Sequence, residues 1–315
     1  MLADIKYDIV VAKDGSGDFE TVQAAVDSIP ENNAQRVTVY LKKGTYKEKI
    51  RIPENKPYIT FVGEDVRETI LTFDDAKAKR HADGTKYENS EIPSSYLFAA
   101  DFTAHNITFE NTASNKEPAG QAMAAEVRGD RMVFENCRFL GHQDTLLADG
   151  TGRQYYKNCY ITGTVDFIYG SATAVFDECE IFSRDRHNGY ITAPSTSPEQ
   201  KYGFVFLNCE LVGEAPQSTV YLGRPWRPYG STAYINCYMD DHIRPEGWNN
   251  WRDESREKTA RFAEYNSRGP GANISGRVEW SRQLTDEEAK KYTVKNILSG
   301  NDGWDPIKLL IFNNK

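Results

Sequence analysis

The chain has 315 residues, enough for one large domain or two ordinary ones, and its 39% hydrophobic and 12% aromatic content suits a folded core rather than a disordered polymer. A net charge of −8 disfavours nucleic acid as a partner, because phosphate binding rests on clustered Lys and Arg. With no apolar run of ~18 residues, a membrane span is not expected.

At the N-terminus, MLADIKYDIVVAKDG lacks the basic start, apolar region and cleavage site of a secretory signal. Two localisations stay open: extracellular or periplasmic with the signal missing from this chain, or cytoplasmic. The turn-rich DGSGD is followed by FETVQAAVDSI, Phe19–Ile29, whose apolar Val22, Ala25, Val26 and Ile29 make a helical stripe suited to capping the open end of a larger structure. RVTVYLKKG, KEKIRIP and YITFVG read as early strands. The run KAKRH, Lys77–His81, reads as solvated surface within a charged segment from Asp74 to Tyr96.

From there an internal repeat organises the chain. FENCRF (Phe134–Phe139), YKNCYI, FDECEI, FLNCEL and YINCYM each contain one of the five cysteines, with an aromatic residue three before Cys, Asn or Glu one before, and an apolar residue two after. AHNITF, Ala104–Phe109, is a sixth copy with Ile107 in the Cys position. Copies recur every 20 to 30 residues, the signature of a solenoid with one strand pattern per repeat, and no helical signal intervenes. The alternation predicts one strand per hexapeptide, with Cys137 and Phe139 both inward. The fold class is therefore all-β, a single-stranded parallel β-helix. Its cysteines form an interior ladder without disulfides or metal, since five is odd and no CxxC occurs. Near the end, LTDEEAKKYTVKNIL, with Thr285 as cap and Glu288 three residues later, predicts a C-terminal helical appendage over about 281–299. No linker-like composition interrupts residues 1–315, so one domain is expected.

Aligning two copies gives CRFLGHQD over CYITGTVD: Gly141 and Gly163 lie four after Cys, Asp144 and Asp166 seven after. If coils stack, these acids are neighbours about one strand spacing, ~4.8 Å, apart. Two carboxylates at ~5 Å repel by about 3 kcal/mol at an effective dielectric of ~20, so one tends to keep a proton. An ionised group beside a protonated one suits acid/base hydrolysis near neutral pH.

Other reaction systems are poorly represented: GxSxG, HExxH, a Walker loop and GxGxxG are all missing. The five histidines form no ligand-spaced pair, and only His142, beside Asp144, stands near the candidate site. Gln143 suits stabilising an oxyanion, because an amide donates without titrating. Arg224, in YLGRPWRPYGS, could orient a carboxylate by two contacts. Trp226 and Tyr169 offer flat apolar area to a pyranose.

GHQDTLL, GTVDFIYG, YLGRPWRPYGSTAY, the VVAKDGSGDFETVQAAV opening, GYITAPSTSPEQKYGFVF and the closing RFAEYNSRGPGANISGRVEWSRQLTDEEAKKYT together resemble pectin methylesterases, of bacterial type, over nearly the whole chain. That resemblance implies a right-handed parallel β-helix and hydrolysis of the C6 methyl esters of homogalacturonan without metal or organic cofactor. It implies Asp166 as nucleophile, Asp144 as general acid/base, and Gln143 with Gln121 of PAGQAMAAEVRGD as oxyanion hole. Arg224 would orient Asp166, while Trp226, Tyr169 and Val165 would contact substrate. Tyr169 stands where the family often has Phe. A further substrate contact falls near Ser94, Ser95 or Tyr96.

The partners implied are methyl-esterified homogalacturonan or oligogalacturonides, bound by a monomer, with neither nucleic acid nor membrane. One alternative is a β-helix glycosidase or lyase on the same polymer, since retaining glycosidases also pair carboxylates at about 5–5.5 Å. Another is a family member acting on a different ester or thioester. The two glutamines favour the ester reading, because a glycosidase has no tetrahedral oxyanion to stabilise.

Overall fold

In a computed structural model, described here for residues 6–113 and 119–311, the chain winds into a parallel β-helix with three sheets. Among the described residues these sheets have eleven, eight and seven strands, and every strand pairing is parallel. Each of the seven complete coils contributes in turn to the eleven-, eight- and seven-stranded sheets, as in Met132–Glu135, Arg138–Leu140 and Leu146–Ala148.

The hexapeptides are corners rather than single strands. Phe134 and Glu135 end a strand of the eleven-stranded sheet, while Arg138 and Phe139 begin one of the eight-stranded sheet. The residue between, Asn136, has φ 51°, and its counterparts Asn106, Asn158, Glu178, Asn208 and Asn236 have φ between 51° and 58°. Asn tolerates this left-handed region better than most residues, which explains the template's Asn. A bend at that point still turns Cys137 and Phe139 into the same core, at 1% and 0% exposure. The alternating pattern thus identifies the right inward residues by the wrong geometry. A seventh corner, at Asn266 (φ 49°), has Ser267 in the Cys position.

Stacked coils bring equivalent side chains together. Phe134, Tyr156, Phe176, Phe206 and Tyr234 form one column, with successive ring centroids 4.9, 4.7, 4.6 and 4.5 Å apart. Each pair contributes about 0.5–1.5 kcal/mol beyond its buried area. The five cysteines form the adjacent column as free thiols. Each Sγ donates to the preceding coil, as from Cys159 to the Phe134 carbonyl and from Cys179 to the Tyr156 carbonyl, both at 3.4 Å.

The N-terminal stripe forms the helix Val22–Ser28, capped by Thr21, and its Val22, Ala25 and Val26 enter the core. It packs on the first strands, Ile9–Val11 and Ile50–Ile52, which are edges of their sheets, and so covers the end of the solenoid. The expected C-terminal helix is instead two short ones, Asp286–Ala289 and Val294–Leu298. Thr285 and Glu288 form the anticipated capping box; Thr293 then caps the second helix, and the extended backbone at that cap breaks the run. Ile297 and Leu298 pack beside Tyr155, Val175 and Val205 on the outside of the eleven-stranded sheet. No helix among the described residues is long and apolar enough to cross a membrane.

Candidate functional site

Asp166 lies in the strand Val165–Gly170 of the seven-stranded sheet, and Asp144 in the turn just before the neighbouring strand Leu146–Ala148. The register Leu146↔Ile168 and Leu147↔Tyr169, extended back two residues, sets Asp144 beside Asp166 on adjacent coils. Both have left-handed backbones, with φ 62° and 50°. The Asp144 amide donates to the Val165 carbonyl at 3.1 Å, tying the coils together at this point.

Local sequence enforces these turns. A side chain at Gly141 would meet Thr145 Oγ1 of its own turn at 2.6 Å, and one at Gly163 would meet Phe167 Cβ of its own turn and, at 2.5 Å, the His142 carbonyl of the preceding coil, so both glycines permit the tight turn and Gly163 also the close coil approach. Thr145, fully buried, donates to the Thr162 carbonyl at 2.9 Å. On the other flank, Val165 pairs with Tyr190 and Ile168 with Thr192, three residues advancing against two. Asp166 lies in this bulge, a device that re-aims a side chain out of regular alternation.

Arg224 follows the strand Val220–Gly223, and its amide donates to the Thr192 carbonyl at 2.9 Å. Its guanidinium donates from Nε to Asp166 Oδ1 at 2.8 Å and from Nη2 to Oδ2 at 2.6 Å, a bidentate pair. Tyr190 and Trp251 place their rings 3.8 and 3.9 Å from the guanidinium carbon, which fixes its plane. Trp226 meets Tyr169 edge-on at 5.8 Å. Arg256 donates to the Pro225 and Trp226 carbonyls and holds that loop.

These groups surround a cleft of about 230 Å³ lined by Gln121, Gln143, Asp144, Asp166, Tyr169 and Arg224, with Trp226, Trp251, Asn89 and Ala193 completing its walls. Seven of the eight sequence candidates meet there. Val165 does not line the cleft, and its carbonyl instead anchors Asp144. Nor does His142. Ser94, Ser95 and Tyr96 are buried in or beside a strand, so the charged segment reaches the cleft through Asn89, on the short helical turn Asn89–Glu91. KAKRH is tied into that segment by Lys77–Glu88, Lys79–Asp75 and His81–Glu91 pairs rather than left as free surface charge.

The acids have unequal surroundings. Burial pushes the Asp144 carboxyl well above its ordinary value and the Asp166 charge pushes it further, with Arg224 and Gln143 drawing it partly back. Burial also raises Asp166, opposed there by the Arg224 hydrogen bonds and charge. Both carboxyls are raised, but Arg224 stabilises the Asp166 carboxylate, so the arrangement favours a shared proton on Asp144 over one on Asp166. Among the described residues no cluster of three or more His, Cys, Asp or Glu could hold a metal ion.

A family model for pectinesterases matches residues 8–301. The chain belongs to the pectinesterase family. It is 43% identical to pectinesterase 31 of Arabidopsis thaliana over 89% of this chain and 88% of that protein. To the Arabidopsis pectinesterase QRT1 it is 40% identical, over 96% and 79%. Among solved structures, carrot pectin methylesterase superposes with a TM-score of 0.88 at 34% identity, covering 98% of each chain. Pectin methylesterase PemA of Erwinia chrysanthemi gives 0.85 at 31% identity, over 96% and 99%. Identity is higher to these plant proteins than to the bacterial one, so the family assignment holds and its restriction to a bacterial type does not follow. This pectinesterase is a carboxylic ester hydrolase with pectin methyl esters as substrate.

Three cleft residues, Ala193, Trp251 and Asn89, are absent from the sequence candidates. Trp251 lies outside the repeat, and its only local signal is the N-N-W run before Arg252. Asn89 belongs to a segment with no equivalent in other coils.

Proposed function

We propose that Asp166 is the nucleophile and Asp144 the general acid/base of this pectinesterase. Asp166 Oδ attacks the C6 carbonyl of a methyl galacturonate unit, and the amides of Gln121 and Gln143 donate to the developing oxyanion, worth roughly 3 kcal/mol for a well-placed donor. The C6–O bond to methoxide breaks as Asp144 gives up its proton, and methanol leaves an anhydride between Asp166 and C6. Asp144, now a carboxylate, takes a proton from water as the resulting hydroxide attacks C6. The C6–Asp166 bond breaks, Asp166 is again ionised, Asp144 is again protonated, and the product acid ionises in solvent.

The observation that carries these roles is the asymmetry of the pair: Arg224 holds both oxygens of Asp166 and makes no such bond to Asp144. Trp226 and Tyr169 supply apolar contact to the sugar, and Val165 acts through its backbone. We further assign one domain acting as a monomer, on methyl-esterified homogalacturonan or oligogalacturonides, on the extracellular or periplasmic side where the polymer lies. The test follows methanol, reducing ends and unsaturated uronate separately on highly methylated homogalacturonan. Methanol alone is expected; new reducing ends would mean a glycosidase and unsaturation a lyase.

A further inference from the structure

The connection that carries Gln121 starts differently from the two that follow it. In the repeat, the residue four after the Cys position is Gly141 in one coil and Gly163 in the next, each at a tight turn. In the coil before them Ile107 holds the Cys position, and four residues on stands Asn111.

Asn111 ends the strand Thr108–Asn111 of the eight-stranded sheet and is 2% exposed. Its Nδ2 donates to the Asp75 carbonyl at 3.0 Å, to that of Ile92 at 3.2 Å and to that of Met123 at 3.0 Å. An amide has two N–H groups for these acceptors, so one is shared. Oδ1 accepts from the Ala113 amide at 2.9 Å. Asp75 and Ile92 lie near the two ends of the charged segment, and Met123 lies two residues after Gln121. One buried side chain therefore closes that segment at its base and fastens it to the connection that holds Gln121.

The backbone around Gln121 is held residue by residue. The Gln121 carbonyl accepts from the Lys77 amide at 3.0 Å, the Ala122 amide donates to the Gln143 carbonyl at 3.2 Å, and the Met123 carbonyl also accepts from the Ser94 amide at 2.9 Å. Lys77 belongs to the charged segment, so its bond to Gln121 depends on where the base of that segment is held. Among these contacts only those of Asn111 come from a side chain. The side chains of Ile92 and Met123 pack with Leu147 and Tyr169 beside the cleft.

We propose that Asn111 is a positioning residue for Gln121, a role that rests on Gln121 donating to the oxyanion. Asn111 does not line the cleft. It acts through the Met123 backbone and the base of the charged segment, which together set where the Gln121 amide points. Loss of the side chain leaves three carbonyls short of a donor and lets the base of the segment relax. Oxyanion stabilisation depends on donors already in place, and a misplacement of about 1 Å costs up to ~10²-fold.

A double-mutant cycle on methanol release from highly methylated homogalacturonan tests it. Asn111→Ala is expected to lower kcat about 10- to 100-fold with KM changed less than about twofold, a smaller loss than that from Gln121→Ala. Asn111→Ser, which keeps one short donor, should fall between that variant and the parent. In a Gln121→Ala background the same Asn111 substitutions should lower kcat by less than about twofold, because the group they act through is gone. A purely structural role would lower kcat equally in both backgrounds, or lower the melting temperature with kcat unchanged. Either result would overturn the positioning role, as would a loss confined to KM. Rates are taken well below the melting temperature of each variant, and if Asn111→Ala does not fold, Asn111→Ser carries the cycle. The oxyanion reading fails separately: it falls if Gln121→Ala alone keeps the parent's kcat, whereas equal losses in the two backgrounds, with Gln121→Ala itself impaired, sink only the role of Asn111.

Discussion

Replacing Arg224 by Gln removes both hydrogen bonds to Asp166 while leaving a polar side chain. The ion pair is largely buried, with side chains 20% and 9% exposed. Removing one partner of a buried pair costs about 3–5 kcal/mol. Residual exposure of Arg224 to the cleft reduces this to roughly 2–3 kcal/mol, by the weaker coupling of wetter pairs. At about 1.36 kcal/mol per factor of ten, the Asp166 carboxylate loses that stabilisation and should titrate higher. The sign is clear: Asp166 acts as a carboxylate, so the acid limb of kcat/KM moves to higher pH. Below the new limb the rate falls by roughly 30- to 150-fold, following the same conversion. Methanol release across pH, with kcat and KM separated, measures the effect. An acid limb that stays in place, or a change confined to KM, would refute the reasoning and make Arg224 a substrate contact only.

Asp144→Asn should lower methanol release by about 10²–10⁴-fold through loss of acid/base catalysis. Its stability effect has the opposite sign. Asp144 titrates above its ordinary value of 3.8 when folded, so the parent loses stability as pH rises from there toward the folded value. Thermal melts of parent and variant should accordingly diverge in the variant's favour above about pH 4, and parallel curves would contradict the burial of this carboxyl. Gln121→Ala and Gln143→Ala should each reduce kcat by about 10²–10³ with little change in KM; a loss carried by KM alone would move them to substrate binding. The five buried thiols should resist maleimide in the native state and react on unfolding, with melting temperature insensitive to reductant.

How much of the fold and site is legible in the sequence differs from residue to residue. The 22-residue interval between Asp144 and Asp166 equals that between Cys137 and Cys159, because one coil takes the same chain length at its corner and at its turn. The repeat by itself therefore places the acids side by side. It also sets the aromatic and cysteine columns, since stacking is repetition made spatial. It misjudges the hexapeptide, where a left-handed Asn converts an alternating pattern into a corner with the same residues inward. The C-terminal segment divides in two because Thr293 caps as well as Thr285. Trp251 and Asn89 are invisible for the reason that makes the acids visible: neither has a counterpart in another coil. Arg224 is visible through its motif, but its clamp between Tyr190 and Trp251 depends on a loop whose Trp251 and Arg252 both have left-handed backbones, at φ 61° and 59°.

The central claim, that Asp166 forms the bond to C6, is tested most directly by methanol release from highly methylated homogalacturonan with Asp166→Asn. The amide keeps the shape and the cleft but cannot supply an ionised nucleophile. A protein that melts like the parent and releases no methanol above the uncatalysed rate is the expected result. Methanol release at the parent's rate would contradict the account, whatever the other residues of the cleft do.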